Sequence, residues 1–236
     1  MNRTRAAVLP ALACSLVVLV GGLAGGAAAS TAGPSGRAPA VAGATMTAAD
    51  RPARRATDPR DLNASLTIAS IGIRALRVVP YQGTTDDWPG TRIQDRGIAA
   101  SPHGGQGGVG PGEIGNYLVT GHRVAAGGPL GRVPSLKKGQ RVLITAGGTV
   151  YEYKITETRI TSFRSARSLT EQRAAVPGFP GKRPTRAMIT VSTCATPEDD
   201  AAGNFWRDDK GNPEHRIDKI GVLVSTHRST AGPSTP

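Results

Sequence analysis

Glycine and proline divide this chain into short apolar runs, and this division restricts its fold more than any other feature. The sequence has 31 glycines and 18 prolines in 236 residues. These two residues stand in nearly every connection, and few apolar runs are long enough for a helix of ordinary length. Short strands at regular spacing with turn residues between them are typical of all-β sandwiches and barrels. We therefore predict an all-β fold, a closed β-barrel with short helices in its connections.

Alternation of apolar and polar residues marks the predicted strands. They are an extended region over residues 66–78 and shorter strands over residues 117–119, 142–144, 150–155, 188–194 and 220–224. Gly147 and Gly148 lie between two of these strands, so a hairpin turn is predicted there. Helix is limited to one or two turns within residues 129–136 and another within residues 168–175.

The first thirty residues predict export. Arg3 and Arg5 precede an uncharged run over residues 6–29, and this run ends in small residues that resemble a signal-peptide cleavage site. The run is long enough to cross a bilayer, although its glycine and alanine content is that of a weak anchor. Residues 1–30 are therefore a signal peptide or a signal anchor. In both cases the folded part is extracytoplasmic, either anchored to the cell membrane or at the cell wall.

Composition divides the rest of the chain into three parts. Residues 31–63 are rich in Ala, Gly, Pro and Arg and have no apolar periodicity, which predicts a flexible linker. Residues 64–227 are one domain's worth of chain. Residues 228–236 are predicted to be a disordered tail.

The formal net charge of +12 indicates which partners suit the chain. A basic exported domain fits an anionic surface such as a cell wall or lipid headgroups. Nucleic acid is not predicted as a partner, because the chain has only nine aromatic residues, no basic stripe between them, and a secretory N-terminus.

Cys194 is the first candidate for chemistry. The only other cysteine, Cys14, lies in the N-terminal apolar run, so the predicted domain has a lone thiol at the end of a strand. A thiolate favoured by a nearby cation is a strong nucleophile. The plain alternative is that Cys194 is a small buried apolar residue.

Acyl transfer by a thiolate also needs a proton donor for the leaving amine and a positive group for the oxyanion. His122 follows the strand over residues 117–120, and Arg216 opens the last strand. Strand ends at the same rim of a barrel can lie close together in space although they are far apart in sequence. His215 competes with His122 for the first role, ahead of His103 and His227. Lys219 and Arg207 compete with Arg216 for the second.

Three segments together resemble the sortase family. Residues 190–194, Thr-Val-Ser-Thr-Cys, resemble the sortase signature T-L-x-T-C, with Val191 in place of leucine. Residues 115–123, Gly-Asn-Tyr-Leu-Val-Thr-Gly-His-Arg, resemble the family segment G-N-x-x-x-x-G-H-R. Residues 136–139 resemble the L-x-x-G-D turn, with Gln140 in place of aspartate. The long stretch between Cys194 and Arg216 is similar to that of actinobacterial class E sortases.

The resemblance implies a sortase β-barrel over residues 64–227 that acts as a cysteine transpeptidase. Its substrates would be secreted proteins with a C-terminal sorting signal of LPXTG or LAXTG type, and a peptidoglycan precursor amine would be the acceptor. Cys194 would form a thioester, His122 would transfer protons and Arg216 would bind the oxyanion, while Thr193 would help to shape the substrate pocket. The N-terminal segment would provide the membrane contact.

The resemblance implies no metal and no organic cofactor. An acidic group in the stretch after Cys194 is predicted to be a solvated loop, and its members are Glu198, Asp199, Asp200, Asp208 and Asp209. Phe205 and Trp206 in the same stretch either pin the loop to the barrel or form a wall of the peptide groove.

Two other classes of protein stay open. L,D-transpeptidases are also exported β-rich Cys-His enzymes, but their cysteine usually follows a His-Gly pair, which Ser192 and Thr193 replace here. A non-catalytic wall-binding module would use the basic surface alone. In that class a structural Cys194 would be inert to thiol reagents.

Overall fold

The alternating runs of the sequence form eight strands that close into a barrel in the computed structural model, which describes residues 58–230. The prediction of a closed all-β barrel with short helices in its connections is confirmed. The predicted signal peptide or anchor lies outside the described residues, as do residues 31–57 of the linker and residues 231–236 of the tail. Within the described part, no helix has the length and apolar character needed to cross a bilayer.

The strands are β1 (Ala64–Ile68), β2 (Ile73–Gln82), β3 (Ala99–His103), β4 (Gly115–Gly121), β5 (Arg141–Ala146), β6 (Thr149–Ser162), β7 (Ala187–Cys194) and β8 (His215–Arg228). The α-helices are α1 (Trp88–Gln94), α2 (Ala166–Arg173) and α3 (Thr196–Ala201). Single 3-10 turns occur at Pro59–Asp61, Ala69–Ile71 and Val133–Ser135.

The strand order around the barrel is β1-β2-β3-β4-β7-β8-β6-β5, and β5 pairs with β1 to close it. The pairs β2–β3 and β4–β7 are parallel, and the other neighbours are antiparallel. A parallel pair needs a crossover connection, because the chain must return to the same end before the second strand begins. The β4–β7 crossover contains β5, β6 and α2.

Apolar side chains fill the barrel. Because successive strand residues point to opposite faces, Tyr117 and Val119 of β4 share the inner face with Ile189 and Val191 of β7. Apolar residues of β1, β2, β3, β5 and β6 and of the connections after β1 and β4 belong to the same core cluster. Burial of an aliphatic side chain of this kind stabilises the fold by about 1.5–3 kcal/mol.

The outer face of β7 and β8 is also buried, but it is polar. Gln172 of α2 reaches this face and donates hydrogen bonds to Ser192 Oγ at 3.2 Å and to Asp218 Oδ1 at 3.0 Å. Thr161 of β6 donates to Asp218 Oδ2 at 2.6 Å. Helix α2 therefore covers a polar outer surface that leads along β7 to Cys194.

Local sequence explains which elements were predicted. Gly147 and Gly148 both have positive φ, 56° and 78°, as a two-residue hairpin turn requires. Helix α2 begins two residues before its predicted range, and the helical turn expected within residues 129–136 is the 3-10 turn Val133–Ser135. Strand β3 and helices α1 and α3 were not predicted, because none of them has an apolar pattern of strand or helix period.

Candidate active site

Strand register brings the three predicted catalytic residues to one end of the barrel. In the parallel β4–β7 pair, Gly121 is the partner of Thr193, so His122 and Cys194 each follow a paired residue. In the antiparallel β7–β8 pair, Cys194 itself is the partner of Arg216. Residues directly opposite each other have their side chains on the same face. The thiol therefore lies between the strand that leads to the histidine and the strand that begins with the arginine.

The Cys194 thiol is buried, with 6% of the residue exposed. The pKa of this thiol is raised to about 12, mainly by burial and also by the carboxylates of Asp208 and Asp199, while Arg207 opposes the shift. The sulfur donates a hydrogen bond to Asn212 Oδ1 at 3.7 Å. A thiol at an unperturbed site titrates near 8.5. In this state Cys194 is therefore a neutral thiol at neutral pH, and it must lose its proton to act as a nucleophile.

His122 and Cys194 line one open cavity of about 260 Å³, together with Arg123, Lys210 and Asn212. The imidazole is 13% exposed, and its Nε2 lies 2.9 Å from Asp95 Oδ1. The imidazole and the thiol thus face the same solvent-accessible space. A molecule in this cavity can contact both groups, which is the arrangement that proton transfer to a leaving group requires.

Arg216 has a side chain that is only 2% exposed, and it forms an ion pair with Asp86 from the β2–α1 connection. Its guanidinium carbon lies 4.6 Å from the centre of the Phe163 ring. Burial lowers the pKa of Arg216 to about 10, although Asp218 and Tyr81 oppose this shift. The guanidinium is therefore still charged at neutral pH.

The two competing cations have other partners. Lys219 is the partner of Val191 and lies three residues after Arg216 on β8. Its side chain therefore projects from the face of the strand opposite to that of Arg216. Its ammonium group donates to Thr158 Oγ1 at 3.0 Å, and burial lowers its pKa. Arg207 forms an ion pair with Asp200. Neither of them is the strand partner of Cys194.

The other histidines have contacts of their own. His215 Nδ1 lies 2.7 Å from Asp199 Oδ1, and His215 is the neighbour of Arg216 on the opposite face of β8. His103 Nε2 lies 3.6 Å from Asp61 Oδ1. His227 pairs with β6 near the far end of β8.

Thr193 does not line the cavity that Cys194 shares with His122. It is fully buried on the inner face, and its hydroxyl donates a hydrogen bond to the Gly121 carbonyl at 2.9 Å. This bond joins the ends of β7 and β4. Thr193 therefore helps to hold the strands that position Cys194 and His122.

The acidic stretch after Cys194 is occupied by internal contacts. Glu198 pairs with Arg123, Asp199 with His215, Asp200 with Arg207 and Asp209 with Lys210. Asp208 accepts hydrogen bonds from the Lys210 and Asn212 amides and from the Asn212 side chain. Across residues 58–230, no cluster of three or more His, Cys, Asp or Glu side chains has the geometry to bind a metal ion.

Phe205 in this stretch is 71% exposed, and Trp206 is half-buried. Trp206 therefore packs partly against the protein, while Phe205 leaves a large apolar surface open to solvent.

Four polar side chains at the site were not predicted from the sequence: Asp86, Asp95, Asp208 and Asn212. Each lies in a connection or at a helix end rather than in a strand. The Asp95–His122 and Asn212–Cys194 contacts join residues that are 27 and 18 positions apart. No pattern in one sequence reports such contacts.

A family model of the sortase domain matches residues 66–205, which is more than half of the chain. None of the curated proteins matches this sequence.

Solved structures have the same fold. The SrtA sortase from Actinomyces oris superposes with a TM-score of 0.54 at 19% identity, covering 73% of this chain and 86% of that chain. Sortase E1 from Streptomyces coelicolor, solved with a tripeptide in its active site, gives 0.53 at 21% identity, covering 76% and 98%. Sortase E from Streptomyces avermitilis gives 0.50 at 24% identity, covering 73% and 93%.

Proposed function

The chain belongs to the sortase family, whose members are cysteine transpeptidases, and we propose that it joins secreted proteins to a cell-wall amine through a thioester on Cys194. The observation that carries this proposal is the strand register. Cys194 is the strand partner of Arg216. The residue before Cys194 pairs with the residue before His122. The three side chains supply a nucleophile, a charge for the oxyanion and a proton carrier.

The reaction begins with proton transfer from the thiol to His122. The Cys194 thiolate adds to the carbonyl carbon of the threonine in a Thr-Gly bond, and the electron pair of that carbonyl moves to its oxygen. When the tetrahedral intermediate collapses, the C–N bond breaks and the His122 imidazolium gives its proton to the departing glycine amine. The acyl group is then held as a thioester on Cys194.

The second half runs in the opposite direction. The acceptor amine adds to the thioester carbonyl, His122 removes the proton of the amine, and the C–S bond breaks to return the thiolate. Water in place of the amine gives hydrolysis as a side reaction. Arg216 stabilises the oxyanion in both halves with its charge and its paired donors, since it is the strand partner of Cys194.

The Arg216–Asp86 ion pair explains how peptide binding prepares the site. A substrate carbonyl that binds the guanidinium takes a position that Asp86 occupies in the free protein. The His122 imidazolium and the Arg216 guanidinium, once released from Asp86, then both favour the thiolate of Cys194 by their opposite charge. Binding and ionisation of the nucleophile are therefore coupled.

The substrates are proteins with a C-terminal sorting signal of LPXTG or LAXTG type, and the acceptor is a peptidoglycan precursor amine. The 20-residue connection 195–214 between β7 and β8 supports placement in class E, for which LAXTG is the expected signal. The protein is exported through residues 1–30 and acts outside the cytoplasm, at the membrane or the cell wall.

The test is incubation of the protein with LPXTG and LAXTG peptides and amine acceptors, followed by mass spectrometry. We expect a thioester adduct on Cys194 and a transpeptidation product, and Cys194→Ala should form neither. Full turnover by Cys194→Ala would rule out the mechanism. An inert thiol with no turnover of either peptide would favour the non-catalytic wall-binding module instead.

A second arm tests the oxyanion role. Arg216→Lys keeps a positive charge but loses the paired donors of guanidinium, so we expect acylation to slow about a hundredfold or more. Lys219→Ala is the control, because Lys219 is not the strand partner of Cys194 and pairs with Val191 instead. Arg207→Ala is the comparison variant, because Arg207 lowers the pKa of the thiol without being its strand partner. If Arg216→Lys acylates at the native rate while either of these variants is inactive, the oxyanion charge belongs to the residue changed in that variant.

A further inference from the structure

Helix α1 ends beside the catalytic histidine, and its last contacts fix the position of one carboxylate. Asp95 caps the helix, and its amide donates to the Thr91 carbonyl at 2.9 Å. Its Oδ1 lies 2.9 Å from His122 Nε2. The preceding residue, Gln94, is buried and donates from its side chain to Thr120 Oγ1 at 3.3 Å. The last residue of α1 and the C-cap that follows it thus contact β4 and the residue after β4.

The backbone of His122 is fixed as well. Its carbonyl accepts a hydrogen bond from the Leu130 amide at 3.1 Å, and Leu130 is fully buried. With the backbone held on one side and the ring held by Asp95 on the other, the imidazole has one defined orientation toward the cavity.

We infer that Asp95 is a positioning residue that selects the tautomer of His122 in which Nε2 carries the hydrogen. A carboxylate only accepts hydrogen bonds, so it binds the ring nitrogen that carries a proton. Nδ1 is then the nitrogen that takes the proton from the thiol and gives it to the departing amine. This inference rests on the proposed function, because it assigns the atom that performs the proton transfers.

The other charged groups near His122 do not make this contact. Arg123 and Lys210 share the cavity, but they pair with Glu198 and Asp209. Across the described residues, Asp95 is the carboxylate that bonds the His122 ring.

Asp95 also has no favourable role at its own helix end. A carboxylate at a helix C-terminus opposes the partial negative charge of the terminal carbonyl groups. Its side chain is 58% exposed, and its ring contact is to His122 rather than to its own helix. Removal of this carboxylate should therefore leave the melting temperature unchanged or slightly raised, whereas a structural role predicts a fall.

The first experiment measures the tautomer directly. Ring 15N chemical shifts of the native protein, recorded at a pH above the titration of imidazole and assigned with His122→Gln, should show hydrogen on Nε2. In Asp95→Ala the two tautomers should mix. Hydrogen on Nδ1 in the native protein, or identical shifts in Asp95→Ala, would overturn the inference. This measurement does not depend on activity, so it decides the contact even if the protein turns over no sorting peptide, an outcome that would overturn the proposed function instead.

The second experiment measures kcat and KM for the sorting peptide in variants of residue 95. Asn has the shape of Asp but also donates, so it allows the wrong tautomer. We expect Asp95→Asn and Asp95→Ala to lose about tenfold or more in kcat with little change in KM, and Asp95→Glu to recover part of the loss.

Asp209→Asn is the matched control, since it removes an equal charge beside the same cavity without contacting the imidazole. Its kcat should stay near the native value. A native kcat in Asp95→Asn, or an equal loss in Asp209→Asn, would show that Asp95 does not position the histidine.

Discussion

At the scale of single residues, the contacts of Cys194 keep it protonated in the free protein. Burial, the Asp208 and Asp199 carboxylates and the Asn212 amide oxygen all favour the neutral thiol. As the proposed nucleophile, Cys194 is in this state protected from reaction until a substrate arrives. The sequence alone had suggested only that a thiol and an imidazole meet, and not that two carboxylates of a neighbouring loop influence the thiol.

The protonated state of Cys194 predicts how its alkylation depends on pH. Because its pKa is about 12, the thiolate fraction, and with it the rate of modification by iodoacetamide, should rise about tenfold per pH unit from pH 7 to pH 10. Peptide mass spectrometry quantifies the modified residue. A rate that is flat over this range would place the pKa below it.

Asp208→Asn should lower the pKa of Cys194, because it removes the carboxylate with the larger effect of the two that oppose the thiolate. Alkylation at pH 8 should become severalfold faster. Asp209→Asn, whose carboxylate does not shift the thiol, is the control and should react at the native rate. Equal rates in all three proteins would mean that burial alone sets the thiol pKa.

At the scale of elements, strand β7 and helix α1 position the residues of the candidate site. Strand β7 has a parallel neighbour that leads to His122 and an antiparallel neighbour that begins with Arg216. Helix α1 has a carboxylate before its first turn and another at its end, and these contact Arg216 and His122 respectively. The helix is therefore part of the site although none of its own side chains is proposed to react.

Asp87→Ala tests whether α1 matters for turnover. Asp87 caps the helix by accepting from the Gly90 amide at 2.8 Å and from the Thr84 amide at 2.9 Å. Its loss should cost about 1 kcal/mol of stability, and transpeptidation should fall more than the folded fraction does. Asp87→Asn keeps one acceptor and should be milder. Urea unfolding and turnover are measured on the same variants. Native turnover in Asp87→Ala would show that the N-terminal cap of α1 is not needed for activity.

At the scale of the whole molecule, positive charge is unevenly distributed. Residues 58–230 contain 23 lysines and arginines against 16 aspartates and glutamates, and residues 114–151 contain no acidic residue. Arg132, Lys137 and Lys138 in this acid-free segment are exposed and form no ion pair with the rest of the described chain. This segment is therefore one part of the described surface that suits an anionic partner.

Replacement of Arg132, Lys137 and Lys138 by glutamine should weaken binding to phosphatidylglycerol vesicles. Each cation near an anionic surface contributes about 1 kcal/mol, so the triple variant should lose about a hundredfold at low salt. Co-sedimentation over a range of salt concentrations measures this loss. Replacement of Lys154, Lys182 and Arg183, which removes the same charge elsewhere, should have a smaller effect; an equal loss would mean that net charge alone governs binding.

The alternation of apolar and polar residues was sufficient to predict the barrel, because most of its strands show this alternation and its turns are rich in glycine. They did not identify β3, whose sequence Ala-Ala-Ser-Pro-His lacks large apolar residues. Cys194, His122 and Arg216 were predicted from their positions at strand ends and from their order in the sequence. The contacts of Arg216 with Asp86 and of His122 with Asp95 depend instead on how the connecting segments pack against the barrel. This packing is tertiary structure, which local sequence patterns do not encode.

The parallel pairing of β4 with β7 has a consequence for the protein during folding. Thr193 and Gly121, whose hydrogen bond joins the two strands, are 72 positions apart. Contacts across such a separation form slowly, because closing the long loop loses chain entropy before the contact can stabilise the fold. Until then Cys194 has the ordinary acidity of a free cysteine, near pKa 8.5, and is open to oxidants. Completion of the barrel therefore ends a period of redox vulnerability at the same moment that it brings together the proposed nucleophile and its proposed proton carrier.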